Sequence, residues 1–170
     1  MNMNADERGF TYLDVLVGMM ILSVGIMALA AAVTGAVVRS RELEQQLIAK
    51  QHAASTLESI FSARDLETLG WDAVGNVGTN IVTGVARGIF LTGQQPIEPD
   101  PGADRIVGTA DDTGSAVGGF QRQITITDIN DPQRPSPPNP IMMREVRVII
   151  FYQAGTIWRQ EAVSTVAANY

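Results

Sequence analysis

From Phe10 to Val38 the chain carries a single charged side chain, Asp14, in an otherwise apolar run. At ~1.5 Å rise per residue a helix over this run reaches about 40 Å, more than the ~30 Å of a bilayer's hydrocarbon core. A membrane-spanning helix is the direct reading. A cleaved secretory signal is its rival, since Ala28, Ala30, Ala31 and Ala32 make the end of the run rich in small residues. Such signals have an apolar core of only ~7–15 residues, and this run continues well past that.

Asp14 is the costly residue. An acid at a bilayer centre costs roughly 2.5–3.5 kcal/mol on insertion scales, less near the interface, and intramembrane acids usually have a partner. No basic side chain lies within the run: Arg8 precedes it and Arg39 follows it. A cut between Gly9 and Phe10 would create an ammonium group one helical turn from Asp14, and the same group on a neighbouring subunit could approach equally well.

The stretch Glu7-Arg8-Gly9-Phe10-Thr11-Tyr12-Leu13-Asp14-Val15-Leu16-Val17 resembles the class III leader and processing site of type IV prepilins and pseudopilins. The resemblance implies that a prepilin peptidase cuts after Gly9 and N-methylates Phe10. It also implies that Asp14 neutralises the amino terminus of an adjacent subunit in a filament. Asp14 stands where the family usually has glutamate, one methylene longer, and the leader carries Asp6 and Glu7 beside Arg8. Arg39, Arg41 and Lys50 follow the span, so the positive-inside rule does not give a cytoplasmic amino terminus. Orientation comes from the resemblance alone: an inner-membrane protein with one span and an extracytoplasmic carboxy-terminal head, later entering a pilus or pseudopilus.

Ile21-Leu22-Ser23-Val24-Gly25-Ile26-Met27-Ala28-Leu29-Ala30 is most similar to the type IV pilus modification minor pilins, with the minor pseudopilins of type II secretion next. The partners implied are the membrane, the prepilin peptidase, other pilin or pseudopilin subunits and a pilus assembly platform. A reading from a different class is an uncleaved signal anchor displaying an extracytoplasmic binding domain.

No proline precedes Pro96, so nothing forces a kink in the first part of the chain. Beyond Val38 the pattern turns amphipathic, with Leu43, Leu47, Ala54, Leu57 and Phe61 at helical spacing around Lys50 and with Arg41, Glu42, Gln45, Gln46 and Glu58 on polar faces. One helix is expected from Phe10 to near Ala63. Gly18, Gly25, Ala28, Ala32 and Gly35 form a small-residue stripe, read either as filament packing or as ordinary membrane-helix composition. The expected divisions are a leader (1–9), a membrane or filament-core helix (10–38), its amphipathic continuation (39–64) and a globular head (65–170).

In the head, Asp65–Leu69 reads as a short second helical segment stopped by Gly70. Asn80–Thr83 and Gly88–Thr92 are candidate short strands. Gln121–Thr127 and Arg144–Val148 alternate with period two, the latter running on into Ile149-Ile150-Phe151-Tyr152. Gln153-Ala154-Gly155 then turns the chain into a returning strand, Thr156–Ser164. The prolines of Asp131–Pro140 make that stretch an exposed connection. The fold class expected is α+β and pilin-like: a long amino-terminal helix on a small antiparallel sheet, with Phe151 and Trp158 in the core or on a sheet face.

The stretch Gln94–Gly119 reads as a long loop, with Asp100, Asp104, Asp111 and Asp112 clustered in it. Oxygen ligands of this type can hold Ca²⁺, although their spacing departs from the helix-loop-helix calcium template, and a solvated acidic loop is the simpler reading. No other cofactor is expected. Cysteine is absent, which excludes disulfides and thiolate chemistry. The only histidine, His52, lies on the amphipathic helix and is assigned a surface or packing role. No nucleophile motif or phosphate-binding glycine loop is present, so a structural protein is expected and not an enzyme. A net charge of −6 gives no reason to expect direct nucleic acid contact.

Overall fold

A computed structural model describes residues 11–169. Its compact units divide between Arg41 and Glu42. One helix, α1 (Tyr12–Asp65, 54 residues), runs through both. In the first unit every described side chain is exposed, and this part of α1 is long and apolar enough to cross a membrane. Two of its hydroxyls are satisfied within the helix: Ser23 Oγ donates to the Met19 carbonyl at 2.8 Å and Thr34 Oγ1 to that of Ala30 at 2.9 Å. Such back-bonding spares a hydroxyl from needing water.

The second unit contains the end of α1 and the sheet. A short 3-10 turn, Trp71–Ala73, follows the helix. A small hairpin pairs β1 (Ile81–Val82) with β2 (Val85–Ala86). The main sheet is antiparallel, in the order β3 (Gln95–Pro96), β4 (Phe120–Ile129), β5 (Met143–Ala154) and β6 (Ile157–Ala168). The α+β arrangement of a long amino-terminal helix on a small antiparallel sheet is therefore present.

Strand alternation decides which sheet face meets the helix. Phe120, Arg122 and Ile124 of β4 are buried, and so are Arg144, Val146, Val148, Ile150, Tyr152 and Ala154 of β5. Cross-strand register places these on one face, with Val148 opposite both Ile124 and Val163. The β5–β6 turn needs only Gly155 and Thr156, and Gly155 takes φ 65°, as the first central residue of a type II′ turn requires. Trp158 lies on the opposite face and is 50% exposed, so it is a sheet-face residue and not a core one.

The helix presents Ala49, Ala53, Thr56, Leu57, Ile60 and Ala63 to the core. This corrects the face expected from the sequence. Leu57 is shared, but Leu43 and Leu47 are 65% and 58% exposed, and Gln45 and Gln46 are partly buried. The cause is at the sheet: β6 offers Glu161 to this part of the helix, where it accepts from Gln46 Nε2 at 2.6 Å, while Arg159 meets Glu42 at 3.5 Å. Large aliphatic side chains gain nothing against that polar floor. Further along, alanines allow the helix to approach an aliphatic one.

Two local assignments also change. Asp65–Leu69 is not a second helical segment stopped by Gly70. It closes α1: the Thr68 N–H donates to the Ala63 carbonyl at 2.9 Å and the Glu67 N–H to that of Arg64 at 3.0 Å, the paired bonds of a Schellman motif. Glu67 holds the left-handed position that glycine usually fills, with φ 59°. Gly88–Thr92 is not a strand; Phe90 makes an isolated bridge to Asn76 and is fully buried.

A side chain at left-handed φ costs roughly 1–2 kcal/mol, partly offset in a glycine variant by the greater freedom of its unfolded chain. Glu67→Gly is expected to stabilise the head by about 1 kcal/mol in chemical denaturation of the detergent-solubilised chain. Glu67→Ala, which keeps the strain, is expected to give no comparable gain.

Candidate functional site

Three sequence positions were singled out for processing and assembly. Gly9 and Phe10 lie outside the described residues. Asp14 sits in the first turn of α1, in reciprocal contact with Thr11. Its carboxylate accepts the Thr11 N–H at 3.0 Å and the Thr11 hydroxyl at 2.7 Å, and the Thr11 oxygen faces the Asp14 N–H at 3.4 Å. This is a capping box, which satisfies amide donors that a helix start leaves unpaired. A carboxylate there also complements the positive end of the helix dipole. Asp14 thus has a neutral intrachain partner in Thr11.

The acidic loop is folded by its own carboxylates. Asp111 Oδ2 accepts the N–H groups of Ala103 and Asp104 at 2.8 and 3.1 Å, and Asp111 Oδ1 accepts the Thr109 hydroxyl at 2.7 Å. The Thr109 hydroxyl, then the Asp104 amide, hold the Asp111 carboxyl below its usual range. Asp100 accepts from Gly102 N–H and Asp104 from Ile106 N–H. Asp112 turns inward, accepting Gly108 N–H at 2.8 Å and Arg122 Nη2 at 2.6 Å. Gly108 has φ 94°, a backbone conformation that side chains rarely adopt, so glycine suits this turn beside Ile124. Among the described residues no three His, Asp or Glu side chains gather as a metal-ligand set.

Several polar residues not singled out from the sequence organise the head. The Arg122 and Asp112 side chains are only 4% and 8% exposed, a buried pair on the core face of β4. Arg144 reaches Asp128 at 2.8 Å and the carbonyls of Trp71 and Val74 at 2.5 and 2.8 Å. Its guanidinium also lies 4.3 Å from the centre of the Trp71 ring, with that of Arg64 at 5.8 Å. Stacking of this kind suits the flat, weakly hydrated guanidinium. Arg64 also donates to the Ala168 carbonyl. The signal for both buried arginines lay in strand alternation, since Arg122 and Arg144 have the parity of their core-facing neighbours.

Asn76 closes the β4 side of the sheet. Its Nδ2 donates to the carbonyls of Ile124 and Phe90 at 2.8 and 3.4 Å, and its Oδ1 accepts the Ile126 N–H at 2.8 Å. Near the end of α1, two adjoining concavities of ≈ 370 Å³ and ≈ 690 Å³ share Pro140, Ile141, Met142 and Asn169. Arg144, Trp71 and Asp128 belong to the wall of the larger one.

His52 is partly buried, its ring 5.6 Å from that of Phe120, in keeping with a packing role. Burial first, and the Arg122 charge second, push its pKa below the ordinary value. Among protein-family models, curated proteins and solved structures, none matches this chain.

A histidine with a depressed folded-state pKa disfavours its own protonation in the head. Its contribution to stability is complete above the unfolded value of 6.5 and is lost as pH falls through the lower folded value. His52→Gln is therefore expected to shrink the stability difference between neutral and mildly acidic solution, measured by denaturant unfolding at several pH values. An unchanged slope would show that His52 does not carry it.

Proposed function

We propose that this chain is a minor pilin or pseudopilin, a structural subunit that a prepilin peptidase cuts after Gly9 and N-methylates at Phe10 before it enters a filament. The observation that carries this reading is a coincidence of position. The Gly9-Phe10-Thr11 sequence with Asp14 stands at the start of a helix that runs unbroken to Asp65 and serves as the spine of an α+β head. An apolar, fully exposed first half of that helix suits a subunit that is stored in the membrane and then packed among other helices. The role is in assembly, at the tip or in modification of a type IV pilus, with the minor pseudopilins of type II secretion as the nearest variant.

In this mechanism the amino terminus freed at Phe10 is a cation and Asp14 is the anion that receives it from the neighbouring protomer. Removing one partner of a desolvated charge pair leaves the other uncompensated, which costs roughly 3–5 kcal/mol. The head lies on the extracytoplasmic side.

The capping box favours a second reading. If Asp14 serves only Thr11, the chain is an uncleaved signal anchor displaying the head as a binding domain. Mass spectrometry of the native protein separates the two: a methylated chain starting at Phe10 supports the subunit, and an intact Met1 terminus supports the anchor. A pair of variants tests the charge. Asp14→Ala is expected to be processed normally yet to fall more than about a hundredfold in filament incorporation, as loss of ~3 kcal/mol dictates. Thr11→Val removes only the cap, worth about 1 kcal/mol, and is expected to retain most incorporation. Equal losses in the two variants would reduce Asp14 to a helix cap.

A further inference from the structure

The two edges of the main sheet are finished differently. On the β4 side, β3 pairs with Gln121 and Arg122, and the Asn76 amide takes the next outward groups at Ile124 and Ile126. On the other side, β6 is paired with β5 over its whole length, from Ile157 to Ala168, in one unbroken register. The Asn169 N–H donates to the Met142 carbonyl at 2.8 Å, which continues the same ladder. Hydrogen-bonded and non-bonded pairs alternate in an antiparallel ladder. The odd-numbered residues of β6 therefore bond to β5, and Trp158, Gln160, Ala162, Ser164 and Val166 aim their main-chain groups outward. The next outward carbonyl, that of Ala168, is taken by Arg64. The edge contains no proline, lysine or bulge, features that commonly blunt an exposed strand.

We propose that this edge pairs with the same edge of a second copy of the chain, antiparallel and centred on Gln160. Three features of β6 make it complementary to itself in that register. Arg159 falls opposite Glu161 of the other copy, twice by symmetry, so the two charges on the helix-facing side are matched across the junction. Trp158 falls opposite Ala162 on the outer side, a large residue against a small one. Ile157, which is 62% exposed, falls opposite Val163. The outward main-chain groups of Trp158, Gln160 and Ala162 then meet their counterparts, as an antiparallel bonded pair requires. The two copies form a closed, two-fold interface. This junction is independent of the processing proposed above, since no residue before Thr156 enters the ladder.

The absence of cysteine makes the register directly measurable in the full-length chain, in detergent and in membranes. With Gln160→Cys as the only thiol, mild oxidation is expected to give a disulfide-linked species of twice the chain mass, because directly opposed residues fall within the Cα separation that a disulfide spans. Ser164→Cys is expected to stay monomeric, its thiols being displaced by about 27 Å along the strands at ~3.4 Å per residue. Adding Ala162→Pro to Gln160→Cys removes one outward donor and no β5–β6 bond, and should abolish the dimer. In the same thiol background, Arg159→Glu should also abolish it and the double variant Arg159→Glu with Glu161→Arg should restore it. Absence of the dimer, equal cross-linking at position 164, no response to the charge reversal, or a product of any other mass would overturn the proposal, the last by showing a different subunit on the edge.

Discussion

The apolar surface of α1 from Tyr12 to Val38 has no cover among the described residues, and that imbalance is the constraint on which the rest depends. Water is an unfavourable environment for so continuous a surface, and lipid or the helices of other subunits are favourable ones. A helix satisfies its main chain internally, so it needs no water to complete its backbone hydrogen bonds. The first half of α1 is therefore specified by what it lacks. The second half, from Glu42, is specified by what it meets.

What it meets is a sheet whose inner face is apolar in the middle and charged toward its margins. Val146, Val148 and Ile150 are fully buried beneath the helix alanines. Around them stand Arg122 with Asp112, Arg144 with Asp128 and Arg159 with Glu42, each linking different parts of the head. The Arg144 guanidinium gathers two carbonyls, a carboxylate and the Trp71 ring into one cluster, fixing the segment after the helix against the start of β5. The buried pair of Arg122 with Asp112 gains little net energy, but breaking it leaves a desolvated charge.

The long helix was legible in its unbroken apolar run, strands β4 and β5 in their period-two alternation, and β6 in the turn that precedes it. The helix face was not. Leu43 and Leu47 are the more hydrophobic residues, yet Ala49 and Ala53 are the buried ones, because Leu43 and Leu47 lie in the part of the helix that meets Glu161 and Arg159. The turn that closes α1 reads as a second helical segment because the left-handed residue is Glu67 and not a glycine. At the candidate site, Asp14 was legible as a costly acid in an apolar helix, while its contact with Thr11 required attention to a neutral partner. The burial of Arg122 and Arg144 is legible only in their parity, which they share with the core positions beside them.

Asn76 does with one amide what a neighbouring strand would do with a peptide unit. Hydrolysis of that amide to a carboxylate would replace Nδ2 by oxygen, setting lone pairs against the carbonyls of Ile124 and Phe90 while sparing the bond from the Ile126 N–H. Attraction would become repulsion through the exchange of a single heavy atom. The polypeptide around residue 76 is thus held to β4 through both ends of one amide, and slow chemical ageing at its nitrogen, not only mutation, would loosen that hold.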